Sequence, residues 1–174
     1  LVQMGWKNVF VLERALEGEE LVRGPAVAGV PGLSAIKVNL IAAGALHTLL
    51  ERKEVEVADL AYSLRYSEGH IPGAWHVVRS RLRENLVVIP GATRLVFTSP
   101  DDTLARFAAQ EAKHLTSIPV DVLQGGTDAW IAAGYPLERG TSRFTGPDDD
   151  LRYKALDRKT DVEAAIREYL EWEI

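Results

Sequence analysis

The chain has 174 residues, enough for one full domain with attachments or for two small domains. Its formal net charge of −5 argues against a nucleic-acid or anionic-membrane partner. It contains no cysteine, which excludes disulfides, thiolate zinc sites and every mechanism with a cysteine nucleophile. No apolar run approaches the length of about twenty residues that spans a membrane. The composition indicates a soluble protein, with the cytoplasm as the default compartment.

The N-terminal part alternates short apolar segments with a glycine-rich stretch. Residues 7–12 are predicted to form a strand, because Val9 and Val11 fall on one face. Residues 24–34 contain glycine and proline at the density of a linker. A helix over residues 41–53 and a strand over residues 54–61 are predicted to follow. The sequence opens at Leu1 in the middle of a pattern, so we expect it to be a piece of a longer chain.

A strand, a loop and a helix stand at the centre of the sequence. The apolar run 95–97 predicts a buried strand, and residues 103–115 carry apolar side chains at helical spacing. The first N–H groups of such a helix have no partner in the helix, so this place in an α/β protein suits an anion or a nucleophile. The connecting loop, which has no cysteine, lysine, arginine or glycine, consists of Thr98, Ser99, Pro100, Asp101, Asp102 and Thr103.

The following segment continues the alternation of strands and helices. Residues 118–123 predict a strand, and Thr127 or Asp128 is predicted to cap a short helix. Gly125 and Gly126 are expected to let the backbone turn sharply beside the sheet. Strands and helices of these lengths predict an α/β fold with a central parallel sheet and helices on both faces.

The two ends of the chain carry further patterns. Residues 140–159 are polar, and a capping box at residues 160–163 predicts a helix to about Glu173 with an apolar stripe. A faint repeat relates residues 9–24 to residues 120–140, at a spacing of about one small domain.

Three landmarks together resemble the rhodanese (sulfurtransferase) family. They are Gly69-His-Ile-Pro-Gly-Ala74 after a strand, the strand–loop–helix around Thr98, and Leu123-Gln-Gly-Gly-Thr-Asp-Ala-Trp130 with Gly134-Tyr-Pro136. The resemblance implies a rhodanese-like fold in a multi-domain protein. It divides the chain into the tail of a preceding rhodanese-like module (1–24), a linker (25–35), the rhodanese-like domain (36–140), and a linker with a C-terminal connector helix (141–174).

The resemblance also implies which chemistry is missing. In active members a cysteine at the end of the central strand carries a persulfide, held by the backbone N–H groups of a six-residue loop. That position falls on Thr98 here. An arginine usually follows the aspartate of an earlier strand by two positions, but Asp59 is followed two positions later by Ala61. Both the nucleophile and this arginine are therefore absent from the degenerate site.

The residues themselves agree with this interpretation. Sulfur transfer needs a polarisable nucleophile that is ionised near neutral pH, whereas the Thr98 hydroxyl is a far weaker acid with no evident base. Carboxylates at Asp101 and Asp102 would each repel an anionic donor such as thiosulfate by on the order of 3 kcal/mol at about 5 Å. Both would stabilise the helix that follows. The lost cysteine equally excludes the related cysteine-dependent phosphatases.

The other candidate residues have structural interpretations. His70 is predicted to hold its loop through a side-chain bond to the backbone, and Trp75 and Trp130 are predicted to lie in the core. The run 148–150 is predicted to be solvated charge, since it lacks the alternating spacing of a calcium loop. No cofactor is expected. No metal site is expected either, because no two histidines form a His-x-x-x-His pair and none has a carboxylate at ligand spacing; the four are His47, His70, His76 and His114.

We therefore expect a catalytically inactive rhodanese-like module in a multi-module protein of the thiosulfate sulfurtransferase type (transferase class). Its expected partners are other rhodanese-like modules of the same parent chain, or a second copy of itself. Three alternatives stay open: a composite sulfurtransferase site shared with another module, a hydroxyl-based reaction in the altered loop, and a protein-binding module that uses the acidic loop.

Overall fold

The computed structural model describes residues 29–151 and 161–173, together with residues 3, 5, 7–11, 13–14 and 17–18. The chain divides into two compact units, Leu1–Val30 and Pro31–Ile174. In the first unit the strand predicted over residues 7–12 is wrong for residues 7–11, and Leu12 lies outside the described residues. Phe10 and Val11 are exposed. An alternating apolar pattern forms a strand only when a partner strand completes the hydrogen-bond ladder.

The second unit is built on a five-stranded sheet. Its strands run in the order β1-β5-β4-β2-β3, and every neighbouring pair is parallel. This confirms the predicted parallel α/β sheet. The strands are β1 (Asn39–Ile41), β2 (Glu56–Asp59), β3 (Trp75–His76), β4 (Leu95–Thr98) and β5 (Val120–Leu123).

Six α-helices accompany the strands in the described residues. They are α1 (Ala43–Glu51), α2 (Ser63–Glu68), α3 (Leu82–Val88), α4 (Thr103–Ala112), α5 (Gly126–Ala132) and α6 (Val162–Glu173). None of these helices is long and apolar enough to cross a membrane. No strand was predicted at β1, no helix at α2 and no strand at β3, because three, six and two residues are too few to display a period. The predicted caps of α5 are wrong, since the helix begins at Gly126 with Gly125 at the N-cap position.

Side chains on both faces of the sheet are buried, as a parallel sheet requires. Along β4, Leu95 and Phe97 join one apolar cluster, and Val96 joins the other. The first cluster is closed by α3 and by the alanines of α4, whose small side chains let the helix approach the sheet. The second is closed by residues of α1, α2 and α5.

Residues 141–150, part of the predicted linker, form a strap beside the edge strand β3. The His76 N–H donates to the Arg143 carbonyl at 2.9 Å, and Thr145 Oγ1 donates to the His76 carbonyl at 2.6 Å. The Arg81 guanidinium pairs with the Asp149 carboxylate at 2.6 Å. The strap is therefore fixed to β3 and to the turn that follows it.

Candidate functional site

The loop between β4 and α4 lies at the carboxyl edge of the sheet. The strand register places Asp59 of β2 opposite Thr98 of β4 on one side and opposite His76 of β3 on the other. Three polar residues thus end three neighbouring strands. In open parallel sheets this edge is where ligands commonly bind.

Thr98 is fully buried at this edge. Its Oγ1 lies 3.0 Å from Oγ1 of Thr127 on α5 and 3.4 Å from the Ser99 carbonyl oxygen. In the described part of the chain, no titratable side chain lies within hydrogen-bond reach of this hydroxyl. A threonine nucleophile needs a positioned base, so the geometry gives no support to hydroxyl-based catalysis.

Two carbonyls of the loop between β4 and α4 accept hydrogen bonds from the start of α5. The Thr127 N–H donates to the Ser99 carbonyl at 2.9 Å, and the Asp128 N–H donates to the Pro100 carbonyl at 3.0 Å. Gly126 lies so close that an added Cβ would stand 2.0 Å from the Ser99 carbonyl oxygen. With φ values of 71° and 64°, Gly125 and Gly126 make the predicted sharp turn. The loop and α5 are therefore packed backbone to backbone.

The loop also has fewer free N–H groups than a six-residue anion cradle would offer. Pro100 has no N–H. The Ala105 N–H donates to Ser99 Oγ at 3.1 Å, and the Thr103 N–H donates to Asp101 Oδ1 at 3.1 Å. Asp101 Oδ2 also accepts from the Thr103 hydroxyl. Side chains of the loop thus occupy donors at the start of α4, as capping residues do.

Asp102 places a carboxylate inside the loop region. Its backbone has a φ of 66°, and its side chain is buried beside α4 and the β5–α5 turn. Asp102 Oδ1 lies 2.6 Å from Arg106 Nε, and Oδ2 accepts from Arg106 Nη2 at 3.0 Å. Oδ2 also accepts from the Gly125 N–H at 2.6 Å. The charge is therefore paired, which corrects the expectation of an uncompensated repulsive carboxylate.

We expect Asp102→Ala to lower the free energy of unfolding by about 2–3 kcal/mol, because it removes charge-assisted bonds to a largely buried carboxylate. Asp101→Ala, which removes an exposed cap, is the matched control and should cost about 1 kcal/mol. Urea denaturation of both variants measures the difference. An equal loss for the two would show that the Asp102–Arg106 pair contributes no more than the cap.

Asp59 is a buried acid with one unpartnered oxygen. Its Oδ1 accepts the Ala61 N–H at 2.9 Å, and its Oδ2 has no hydrogen-bond partner among the described residues. Burial raises the pKa of Asp59 to about 7, against smaller lowering effects of the Ala61 N–H and of the Arg65 charge. Asp59 is thus largely uncharged in mildly acidic solution.

Ala61 stands where the resemblance expects an arginine. It is 5% exposed and belongs to the apolar cluster closed by α1, α2 and α5. Its carbonyl lies 3.0 Å from His76 Nε2, and burial lowers the pKa of that histidine. The position is part of the core, and an arginine there could not keep this packing.

The structural interpretation of His70 is confirmed. Its Nδ1 lies 2.7 Å from the Tyr66 carbonyl, and its ring stacks on the Tyr66 ring with centroids 3.7 Å apart. Trp130 is buried, with its indole N–H donating to the Pro136 carbonyl at 2.9 Å. Trp75 is only partly buried and donates to Glu56.

One residue of the acidic run 148–150 was misassigned. The Asp150 side chain is 8% exposed, and its Oδ2 accepts the Ser63 N–H at 2.9 Å and lies 3.7 Å from His76 Nε2. The prediction of solvated charge is therefore wrong for Asp150. No local pattern could reveal its role, because Ser63 and His76 are far away in sequence.

Comparison with known proteins identifies the family of this chain. The family model of the rhodanese-like domain matches residues 42–133, more than half of the chain. The chain therefore belongs to the rhodanese-like domain family. A search of curated protein sequences found no match.

Solved structures agree with this assignment. A thiosulfate sulfurtransferase from Pseudomonas aeruginosa is 37% identical, with a TM-score of 0.83, over 98% of this chain and 32% of that protein. The chain thus spans about a third of that protein's length. A rhodanese-related protein from Thermoplasma volcanium shares the fold at 21% identity and a TM-score of 0.52, over 57% of this chain and 97% of its own. A Rhodopseudomonas palustris protein described as a possible tyrosine phosphatase shares the fold at 20% identity and a TM-score of 0.53, over 67% of this chain and 99% of its own.

Proposed function

We propose that this chain is a catalytically inactive rhodanese-like module with a structural or regulatory role in a longer protein of the thiosulfate sulfurtransferase type. The observation that carries the proposal is the burial of Thr98 at the position where the family resemblance expects the cysteine. A buried hydroxyl bonded to Thr127 offers neither a thiolate nor access to a sulfur donor.

The surroundings of Thr98 support the same proposal. Bonds within the loop and to α5 engage the Ser99 and Pro100 carbonyls and the Thr103 N–H. The Asp102 carboxylate holds Arg106, the cation nearest to the loop by sequence, and the Gly125 N–H. The Thr103 N–H, the Gly125 N–H and the Arg106 guanidinium, which could otherwise stabilise a bound anion, thus have internal partners.

The match to the Pseudomonas aeruginosa protein supports a role inside a longer chain. This chain corresponds to about a third of a protein named a thiosulfate sulfurtransferase. Catalysis would then reside in another module that carries a cysteine, and other rhodanese-like modules of the same parent chain would be the partners.

The alternatives receive less support. A composite active site built on Thr98 would need this residue to reach a neighbouring module, yet Thr98 is fully buried. A protein-binding acidic loop would need free carboxylates, yet Asp102 is paired with Arg106 and Asp101 caps Thr103. Among the residues that the structure describes, no specific contact favours either alternative over the inactive module.

The accessibility of position 98 can be tested with a single thiol. Because the chain has no cysteine, Thr98→Cys introduces the only thiol that a disulfide reagent such as dithionitrobenzoate can report. We expect modification of the folded variant to be at least about a hundredfold slower than in urea, since it requires local opening. Thr141→Cys, at an exposed position, should react at once and is the control. Rapid modification at position 98 in the folded variant would argue for an open site.

A further inference from the structure

His76 holds the strap with both its backbone and its ring. Its N–H donates to the Arg143 carbonyl at 2.9 Å, and its carbonyl accepts from the Thr145 N–H at 3.2 Å and from Thr145 Oγ1 at 2.6 Å. The centre of its ring lies 4.4 Å from that of the Phe144 ring, and its Nε2 lies 3.7 Å from Asp150 Oδ2. The attachment of the strap from Arg143 to Asp150 therefore depends on one residue of β3.

The strap has little apolar surface with which to stay on the domain. Phe144 is its only large apolar side chain, and this ring is half-buried. Away from His76, an exposed ion pair joins Arg81 to Asp149, and the Ser63 N–H donates to Asp150. An exposed ion pair stabilises little. Segments with few buried apolar contacts open before the core of a domain unfolds, so we expect the strap to open while the sheet stays intact.

The surroundings of the His76 ring favour its neutral form. The residue is 2% exposed, and its Nε2 lies 3.0 Å from the Ala61 carbonyl oxygen, which a neutral imidazole with its proton on Nε2 satisfies. Burial lowers the pKa of His76, although the Ala61 carbonyl and the carboxylates of the strap act in the opposite direction. Protonation of the ring under the closed strap therefore costs more free energy than protonation of the same ring in water.

The other titratable groups around the ring compensate little for a positive charge. They come from β2, from α2 and the turn after it, and from the strap: Asp59, Tyr66, His70, Asp148 and Asp150. Burial raises the pKa of Asp59 to about 7 and raises that of Tyr66, so both are largely uncharged in mildly acidic solution. A charge on His70 would repel, and solvent screens the exposed Asp148. Asp150 is the one buried countercharge among these groups.

We propose that the strap is a pH-sensitive latch, which stays closed while the His76 ring is neutral and opens when mild acid protonates this ring. Because the pKa of His76 is lowered in the closed form, its stabilising contribution is complete above the ordinary histidine range and is lost as the pH falls. Opening frees the edge strand β3 and removes one wall, Asp149 and Asp150, of a cavity of about 400 Å³. The inference stands whether or not the module is catalytically active.

Amide hydrogen exchange of the 174-residue chain, followed by NMR between pH 7 and pH 5, measures the opening. The amides of His76 and Thr145 report the strap, and those of Leu95 and Gln124, bonded to the Pro119 and Ile41 carbonyls, report the sheet. We expect the strap amides to have the lower protection factors, after correction for intrinsic rates. Their protection should fall severalfold from pH 7 to pH 5.

A variant that cannot be protonated tests the role of the ring. His76→Gln keeps an N–H for the Ala61 carbonyl, and we expect the strap amides of this variant to lose their dependence on pH between pH 7 and pH 5. His114→Gln removes an exposed histidine outside the strap and is the matched control. It should keep the dependence that the native chain shows.

A second variant leaves the ring in place, so the test does not depend on the folding of His76→Gln. Thr145→Val removes the bond from Oγ1 to the His76 carbonyl and changes no titratable group. Because closing of the strap and protonation of the ring are linked, a weaker strap should raise the pKa of His76 toward its ordinary value. NMR titration of the His76 ring in the native chain and in Thr145→Val measures this shift.

Each result bears on the latch. A pH dependence that is confined to the strap, absent in His76→Gln and present in His114→Gln supports it, as does an upward shift of the His76 titration in Thr145→Val. Equal protection of strap and sheet amides at every pH, an unchanged pH dependence in His76→Gln, or an unshifted titration in Thr145→Val would each overturn it. Catalytic inactivity is measured by a different assay, so failure here leaves the proposed function untouched.

Discussion

Replacing Gly126 with alanine is expected to lower the free energy of unfolding by more than about 4 kcal/mol, or to prevent folding. A Cβ at this position would stand 2.0 Å from the Ser99 carbonyl oxygen and 2.6 Å from both the Asp102 nitrogen and the Pro100 carbonyl oxygen. All three are backbone atoms, so no side chain can turn away to make room. The φ of 64° adds strain for any residue with a Cβ.

Gly91→Ala is the matched control for this prediction. Gly91 has a similar φ of 58°, but no atom lies within 4 Å of its added Cβ. It should cost only about 1 kcal/mol, the backbone contribution alone. Urea denaturation followed by circular dichroism measures both variants. If the two lose the same stability, the close packing between the loop and α5 is not as described.

The second large effect concerns the buried acid Asp59. We expect Asp59→Asn to raise the free energy of unfolding by up to about 4 kcal/mol at pH 8, because the buried charge is removed. The asparagine can keep its oxygen on the Ala61 N–H. At pH 4, where the folded-state carboxyl is protonated, the variant and the native chain should differ little.

The raised pKa of Asp59 determines the direction in which stability changes with pH. Between pH 3.8, the ordinary pKa of an aspartate, and about pH 7, the raised pKa of Asp59, the folded state binds a proton that the unfolded state has released. The contribution of Asp59 to the free energy of unfolding of the native chain therefore falls as the pH rises through that window, and it is constant above it. The variant-minus-native difference should grow from pH 4 to pH 7 and then level off.

His76 changes the stability with pH in the opposite direction to Asp59. The proper readout is therefore the difference in free energy of unfolding between Asp59→Asn and the native chain. Burial lowers the pKa of His76, so its contribution to stability is lost as the pH falls below the ordinary histidine range. This contribution is shared by both proteins and largely cancels in the difference. A difference that is flat across the pH range, or a variant less stable at pH 8, would contradict the account of Asp59.

The sequence predicted the fold where its signals were local. The apolar run of β4 and the helical spacing of α4 each determine their own element, and the glycine pair at the start of α5 determines the turn there. Family landmarks supplied the rest of the architecture. The short elements α2 and β3 escaped prediction because their conformation depends on tertiary contacts, such as the His76 N–H to the Arg143 carbonyl.

The geometry around the candidate residues was less predictable than their places in the sequence. Thr98 follows the apolar run 95–97, whereas Asp59 lies inside the predicted strand 54–61 and was singled out through the family resemblance. That Asp102 pairs with Arg106 one helical turn later was within reach of the sequence, since such spacing favours ion pairs. The contacts of Asp150 with Ser63 and His76 were not, because they join distant segments through the strap.

The most direct test of the central claim is a thiosulfate-to-cyanide sulfurtransferase assay of the native chain beside Thr98→Cys. We predict that both are silent, because the native chain lacks a thiolate and because position 98 is buried against Thr127, with the Thr103 and Ala105 N–H groups already bonded to loop side chains. Activity of the variant alone would contradict the inference that the loop cannot receive an anion. Turnover by the native chain, which has no cysteine, would contradict the proposal that this module is inactive.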